Sequence, residues 1–389
     1  MKPQYELADI IRRYKIDFYS GYKVLAHHKR VLKALEKCRT VALGGHVEQC
    51  DECGDLRISY NSCRNRHCPK CQGIQRNKWI KARLSESLDC KYFHTVFTIP
   101  DSLNYYCMHY PKAMYSILFK SSRETLECFG NDEKYLGAEI GCIGILHTWG
   151  QKLDLHPHVH YIVPAVGIDP AGNWRTTRSG GKYLFPVKGM SGVFRGKFVS
   201  LLKEFFEAQS IAFTEELRHD IYEKDWVVYA KRPFGGASQV IEYLGRYTHK
   251  IAISNHRIQS IDNGKVIFSY KDYCDESKVK TMTLSATEFL RRFCIHILPK
   301  GFRKIRHYGI LSSRKKKKLR ELQTNPGVEK AETDAIVYIQ PDFKVKICPC
   351  CGKGEMLAIM SFKANAPPSQ DFLNEFKNNN LKQSISSAR

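Results

Sequence analysis

The chain has 389 residues, 43% hydrophobic and 12% aromatic, too long for one ordinary module and too apolar for a solvating tail, so two or three folded units are expected. Lys and Arg number 62 against 39 acids, a net charge of +23, which is the electrostatic footprint of a protein that neutralises phosphates. No run of about 18 apolar residues appears, which argues against a membrane span, and the N-terminal MKPQYELADIIRRYK has no apolar signal region, so a cytoplasmic location without a membrane partner is expected.

In a reducing compartment, fifteen cysteines suit metal better than disulfides. Residues 1–90 hold the densest group, HVEQCDECGDLRISYNSCRNRHCPKC. Cys50 and Cys53 form one CxxC and Cys68 and Cys71 another, with fourteen residues between the pairs. Two thiolates three residues apart across a tight turn converge on one point, so these four are expected to hold a structural Zn2+ with no open position for chemistry. His46, Cys63 and His67 lie beside the pairs as alternative ligands. Arg64, Arg66, Lys70, Arg76 and Lys78 are expected to rim this N-terminal zinc-binding domain and touch DNA phosphates.

Residues 91–300 read as a mixed unit. YFHTVFTIP is a strand ending at Pro100, Tyr105 to Phe129 a helix, and CIGILHTWG and HVHYIVPAV two strands of an antiparallel hairpin turning near Asp154. A helix is expected over about 191–218, with Phe194, Phe198, Leu201, Leu202 and Phe205 as its core stripe. Trp226 to Ala230 is a strand broken by Gly235 and Gly236, and Ser238 begins a short helix. Strands follow at 266–270 and 281–285, then a helix in ATEFLRRFCIHIL.

The stretch LDLHPHVHYIVPA puts His156, His158 and His160 at alternate positions. On a strand, residues two apart share a face, so His158 and His160 present imidazoles about 7 Å apart on one side. His156 continues the row if the strand begins before Pro157; His147, on the other arm of the hairpin, is the alternative third ligand. In so apolar a strand, imidazoles without partners are costly, which favours a metal site with open coordination positions. Tyr243 and Tyr247, four residues apart on the short helix, share a face. Arg246, His249 and Lys250 surround them, which suits a phosphate-facing site. A phenol with a pKa near 10 needs a Lewis acid or a nearby cation to act as a nucleophile. Arg246, Lys250 and Arg257 are the candidate DNA contacts, and Tyr270 and Trp226 candidates for stacking on bases.

Residues 301–389 form a basic C-terminal region. Nine Lys or Arg and no acid lie between Arg303 and Arg320, as a solvated run or a DNA-backbone contact. Cys348, Cys350 and Cys351, in CPCCGKGEM, form half a zinc knuckle without a partner CxxC, and the last ~25 residues are polar and expected to be disordered.

A metal-binding HxH strand followed by a helix with two tyrosines resembles the HUH endonuclease superfamily. The whole arrangement is similar to the rolling-circle insertion-sequence transposases of the two-tyrosine type, the insertion sequence ninety-one family. HVEQCDECG…YNSCRNRHCPKCQ resembles that family's N-terminal zinc-binding domain, HTWGQKLDLHPHVHYIVPA its metal motif and YLGRYTHKIAISNHRI its tyrosine motif. The resemblance implies an α+β fold, with a five-stranded antiparallel sheet flanked by helices, the histidines on its central strand and a four-cysteine zinc module in front. It also implies Mg2+ or Mn2+ at His158, His160 and His156, Tyr243 and Tyr247 as nucleophiles, and nicking and rejoining of single-stranded DNA at insertion-sequence ends through a 5′-phosphotyrosine. A plasmid rolling-circle replication initiator shares this chemistry. A non-enzymatic zinc-dependent DNA-binding regulator explains the charge and cysteines but not the histidine row or the tyrosines. A metallohydrolase using a bound water predicts that Tyr247→Phe is harmless.

Overall fold

The computed structural model describes residues 3–88, 90–180, 182–223, 226–234, 239, 241, 245, 248–323 and 347–374. Two helices, α1 (Leu7–Gly21) and α2 (Ala26–Glu36), lead into the hairpin β1 (Gly45–Cys50) and β2 (Leu56–Tyr60) and then α3 (Gln72–Leu84). Next come β3 (Tyr92–Thr98), α4 (Asn104–His109), α5 (Pro111–Asn131), β4 (Glu139–Ile140), β5 (Cys142–Trp149), β6 (Leu155–Pro164), β7 (Val166–Ile168) and β8 (Trp174–Thr176). After α6 (Val187–Ala208), α7 (Glu215–Glu223) and β9 (Val228–Phe234), three strands form a meander: β10 (Ile258–Asp262), β11 (Lys265–Asp272) and β12 (Lys278–Ser285). The helix Ala286–Ile295, β13 (Ile305–Tyr308), the helix Lys316–Gln323 and β14 (Met356–Phe362) complete the order.

The architecture is α+β, built on a five-stranded antiparallel sheet in the order β13-β5-β6-β3-β9. β6 is its central strand, where the histidine row was expected. Alternation decides its two faces. Val159, Tyr161 and Val163 point with Phe93, Phe97 and Leu146 into the largest core, against Phe119 and Leu126 of α5 and Phe194, Phe198 and Leu202 of α6. His158, His160 and Ile162 therefore point to the opposite face.

The helix expected over 105–129 is two helices, because Pro111 lacks an N–H to continue α4 and instead opens α5. The 191–218 run likewise divides into α6 and α7. A second core joins α1 and α2 (Leu7, Ile10, Ile11, Phe18, Leu32, Leu35) to Phe268 of β11 and to Phe289, Leu290 and Phe293, so residues before 90 and after 250 share one interior. The chain after 300 is likewise divided: β13 forms an edge of the five-stranded sheet and β14 pairs with β1. Among the described residues, no helix is long and apolar enough to cross a membrane.

Candidate metal centre

β5 and β6 pair so that His147 faces His158, and Ile145 faces His160. Ligand atoms of His147, His158 and His160 lie within 4.8 Å of one another. The rings of His147 and His160 are 4.6 Å apart, and those of His158 and His160 4.8 Å. His147 and His160 are buried and His158 half-buried, so the group opens to solvent on one side. The His156 ring lies outside this convergent set, exposed and 5.1 Å from that of His158. His156 contributes its carbonyl instead, accepting a 2.6 Å hydrogen bond from His158 Nδ1. That bond fixes the His158 tautomer and leaves Nε2 as the donor to an ion. Of the two third-ligand alternatives, the hairpin register brings in His147.

Residues around the set hold the rings in place. His94 Nε2 and His160 Nδ1 share a 2.8 Å hydrogen bond, with their rings stacked at 5.1 Å. His147 stacks on Trp149 at 4.7 Å, and Lys304 Nζ lies 5.0 Å from the Trp149 ring centre. Desolvation pushes His158 down to about 3 and His160 well below its ordinary value, helped by the positive field of Lys250. Both are therefore neutral at physiological pH, the state that ligates metal. Desolvation, with the Arg66 charge, pushes Lys304 down to about 7, and its ammonium donates to the Lys250 carbonyl at 2.8 Å. His94 lies on a strand separated in sequence from β6 by α4, α5, β4 and β5, and Lys304 in the basic stretch; the sequence reading singled out neither.

Tyr243, Arg246 and Tyr247 lie outside the described residues. Their flanks are described. Gln239, Ile241, Gly245 and Thr248 are helical. Ile241 packs in one cluster with Ile143 and Ile162, on the histidine-bearing face of the sheet. Gly245, between the two tyrosines, lies so close to Ile80 of α3 that a Cβ there would collide with the Ile80 side chain.

The expected DNA contacts divide. Lys250 is exposed beside the histidines. Arg257 instead donates from Nε to the Ser269 carbonyl at 2.7 Å, and from its other nitrogens to Ala252 and Gln151, tying β11 to the turn after β5. Arg66, expected on the basic rim, donates to the carbonyls of Leu298, Pro299 and Phe302, and Lys70 pairs with Glu6 at 2.7 Å. These cations are spent on the fold. A groove of about 650 Å³ between α1 and α2, lined by Arg12, Lys15, Lys29, Arg30, Lys33 and Lys37 among others, is a basic surface that the motifs did not point to.

The cysteine grouping differs from the expectation. Cys68 and Cys71 meet Cys38 and Cys63, not Cys50 and Cys53, and the four sulfurs lie within 4.8 Å of one another. Cys38–Cys71 is 3.5 Å and Cys63–Cys71 is 3.7 Å. A zinc ion with Zn–S bonds of ~2.3 Å separates its tetrahedral sulfurs by about 3.8 Å, whereas a disulfide needs ~2.05 Å. The donor set and spacing thus fit a closed zinc site, set into the core shared by α1, α2 and Phe268. Spacing misled here because Cys38, at the end of α2, belongs to no CxxC. Cys50 and Cys53 lie with Cys348 and Cys351.

Residues 10–99 match the family described as "Transposase zinc-binding domain", and residues 141–318 match the family described as "Putative transposase". "Putative transposase y4qJ" of Sinorhizobium fredii is 40% identical over 387 residues, covering 93% of this chain and 97% of the relative. "Transposase for insertion sequence element IS801" of Pseudomonas savastanoi pv. phaseolicola is 29% identical over 295 residues, covering 71% of this chain and 68% of the relative. No solved structure matches.

Proposed function

Since this chain belongs to the insertion sequence ninety-one family of transposases, with an N-terminal zinc-binding domain, we propose that it nicks and rejoins single-stranded DNA at insertion-sequence ends through a 5′-phosphotyrosine. The observation that carries this reading is the convergence of His147, His158 and His160 on the face of the sheet where Ile241 also packs; Tyr243 and Tyr247, shortly after Ile241 in the chain, are the proposed nucleophiles. Membership in a transposase family favours it over a replication initiator or a non-enzymatic regulator.

The three imidazoles are the residues to hold a divalent ion, Mg2+ or Mn2+, which when bound supplies Lewis acidity to the scissile phosphate. Three nitrogen donors would be a softer set than Mg2+ prefers and would suit Mn2+ better. His156 and His94 orient the ligands through their bonds to His158 and His160. Lys250, exposed beside the histidines, places positive charge beside the phosphate. A phenol oxygen of Tyr243 or Tyr247 bonds to phosphorus, the bond from phosphorus to the 3′-oxygen breaks, and that oxygen takes the phenol proton. The 5′-phosphate stays on the tyrosine, so the phosphodiester energy is conserved for rejoining, and the second tyrosine takes the other strand end.

The test is incubation of the purified chain with labelled single-stranded oligonucleotides from the element's two ends and Mn2+, followed by denaturing gels. A covalent adduct lost in Tyr243→Phe, Tyr247→Phe or His158→Ala is expected. Metal-dependent cutting without an adduct replaces this reading with hydrolysis by bound water.

A further inference from the structure

The C-terminal cysteines, read from sequence as half a knuckle, meet a partner almost three hundred residues away. Cys50 Sγ is 3.7 Å from Cys351 Sγ, and Cys53 Sγ is 3.7 Å from Cys348 Sγ, again the edge expected of sulfurs around one zinc ion and too long for a disulfide. We propose that Cys50, Cys53, Cys348 and Cys351 form a second structural zinc site, which fastens the C-terminal strand β14 onto the N-terminal hairpin.

The two knuckles are built alike. Their sequences are CDECG at 50–54 and CPCCG at 348–352. The glycine after each second cysteine is in the left-handed region, φ +69° at Gly54 and +68° at Gly352. Each glycine N–H closes the turn onto the first cysteine's carbonyl, Gly54 to Cys50 at 3.1 Å and Gly352 to Cys348 at 2.9 Å. Peptide N–H groups also point at the sulfurs: Cys53 N to Cys50 Sγ at 3.4 Å, Cys350 N to Cys348 Sγ at 3.3 Å, and Gly354 N to Cys351 Sγ at 3.4 Å. Such donors favour thiolate, the form that binds metal. Each knuckle runs into a strand beside β1: the sheet order is β14-β1-β2, with Cys50 opposite Met356.

Burial alone holds β14 poorly. The apolar cluster at this joint consists of Cys50, Cys348 and Met356 with Cys351 at its edge, while Leu357 and Ile359 of β14 are exposed. So small a core needs a metal to be stable. The ion closes the chain from residue 50 to residue 351 into one loop and holds β14 over the outer edge of β1, which would otherwise be open to pairing with another chain. This site does not depend on the proposed strand cleavage.

Metal content of the full-length chain, by native mass spectrometry, tests it. Two zinc ions per chain are expected, one in the variant carrying Cys348→Ser and Cys351→Ser, and two in Cys350→Ser, whose thiol is exposed and outside the group. In the double variant the β14 amides exchange at least about tenfold faster. One zinc ion in the unmodified chain, or two in the double variant, overturns the proposal. Alkylation of the unmodified, zinc-loaded chain decides the matter even if the variants fail to fold. Cys53, although exposed, should resist iodoacetamide while exposed Cys350, Cys128 and Cys274 react, and a chelator should release Cys53, Cys348 and Cys351 together. Reaction of Cys53 as fast as Cys350 before chelation also overturns it.

Discussion

Replacing His94 by Phe keeps an aromatic ring stacked 5.1 Å from His160 while deleting the nitrogen that shares the 2.8 Å hydrogen bond with His160 Nδ1. The His160 ring, buried at 7% exposure, then loses the contact that sets its rotation and tautomer. A hydrogen bond of this kind contributes about 0.5–1.5 kcal/mol net, and leaving a buried partner unsatisfied costs about 1–3 kcal/mol. Since outer-shell partners of metal-bound histidines are worth ~10–100-fold in metal affinity, the variant is expected to bind Mn2+ weaker by that factor, about 1.4–2.8 kcal/mol. Isothermal titration gives the dissociation constant, and adduct formation at saturating Mn2+ separates affinity from chemistry. Because His94 acts through His160 and not on DNA, the rate at saturation should stay within about threefold of the unmodified chain. Mn2+ affinity within about twofold of the unmodified chain would refute the positioning role.

Gly245→Val forces a side chain into Ile80 and should cost about 1–3 kcal/mol in urea unfolding while weakening adduct formation, because either Ile80 or the chain at Gly245 must give way; full stability and activity in this variant would sink the packing argument. His296, hydrogen-bonded to Thr148 and to the Leu153 carbonyl, is pushed by burial to about 4. Above pH 6.5 it is neutral whether the chain is folded or unfolded, so it adds no pH dependence. As the pH falls from 6.5 to 4 the unfolded chain takes the proton first, and stability declines by up to ~3 kcal/mol. His296→Gln should lessen that decline in denaturant titrations at successive pH values, and an unchanged slope would count against it.

Much of the sheet was legible because short runs of β-branched and aromatic residues are a local property: YFHTVFTIP, CIGILHTWG and HVHYIVPAV each became a strand, and the histidine strand became the central one. What could not be read locally was pairing across distance. His94 joins His160 only because β3 lies beside β6, and His147 is chosen over His156 by the hairpin register. The same holds for the cysteines. A CxxC identifies a knuckle but not its mate, and the mates here are set by the pairing of β14 with β1 and by Cys38 at the end of α2. The repeated C-x-x-C-G of residues 50–54 and 348–352 was the available signal. Charge was a poor guide to individual contacts, because Arg66 and Arg257 look like DNA ligands in sequence but bind carbonyls of their own chain.

The most direct measurement isolates the covalent protein–DNA product formed with Mn2+, digests it with trypsin and identifies the modified residue by mass spectrometry, with polymerase extension of the released strand alongside. The account predicts a 5′-phosphotyrosine at Tyr243 or Tyr247 and an extendable 3′-hydroxyl. Attachment at any other residue, or a 3′-phosphate on the released strand, would contradict it.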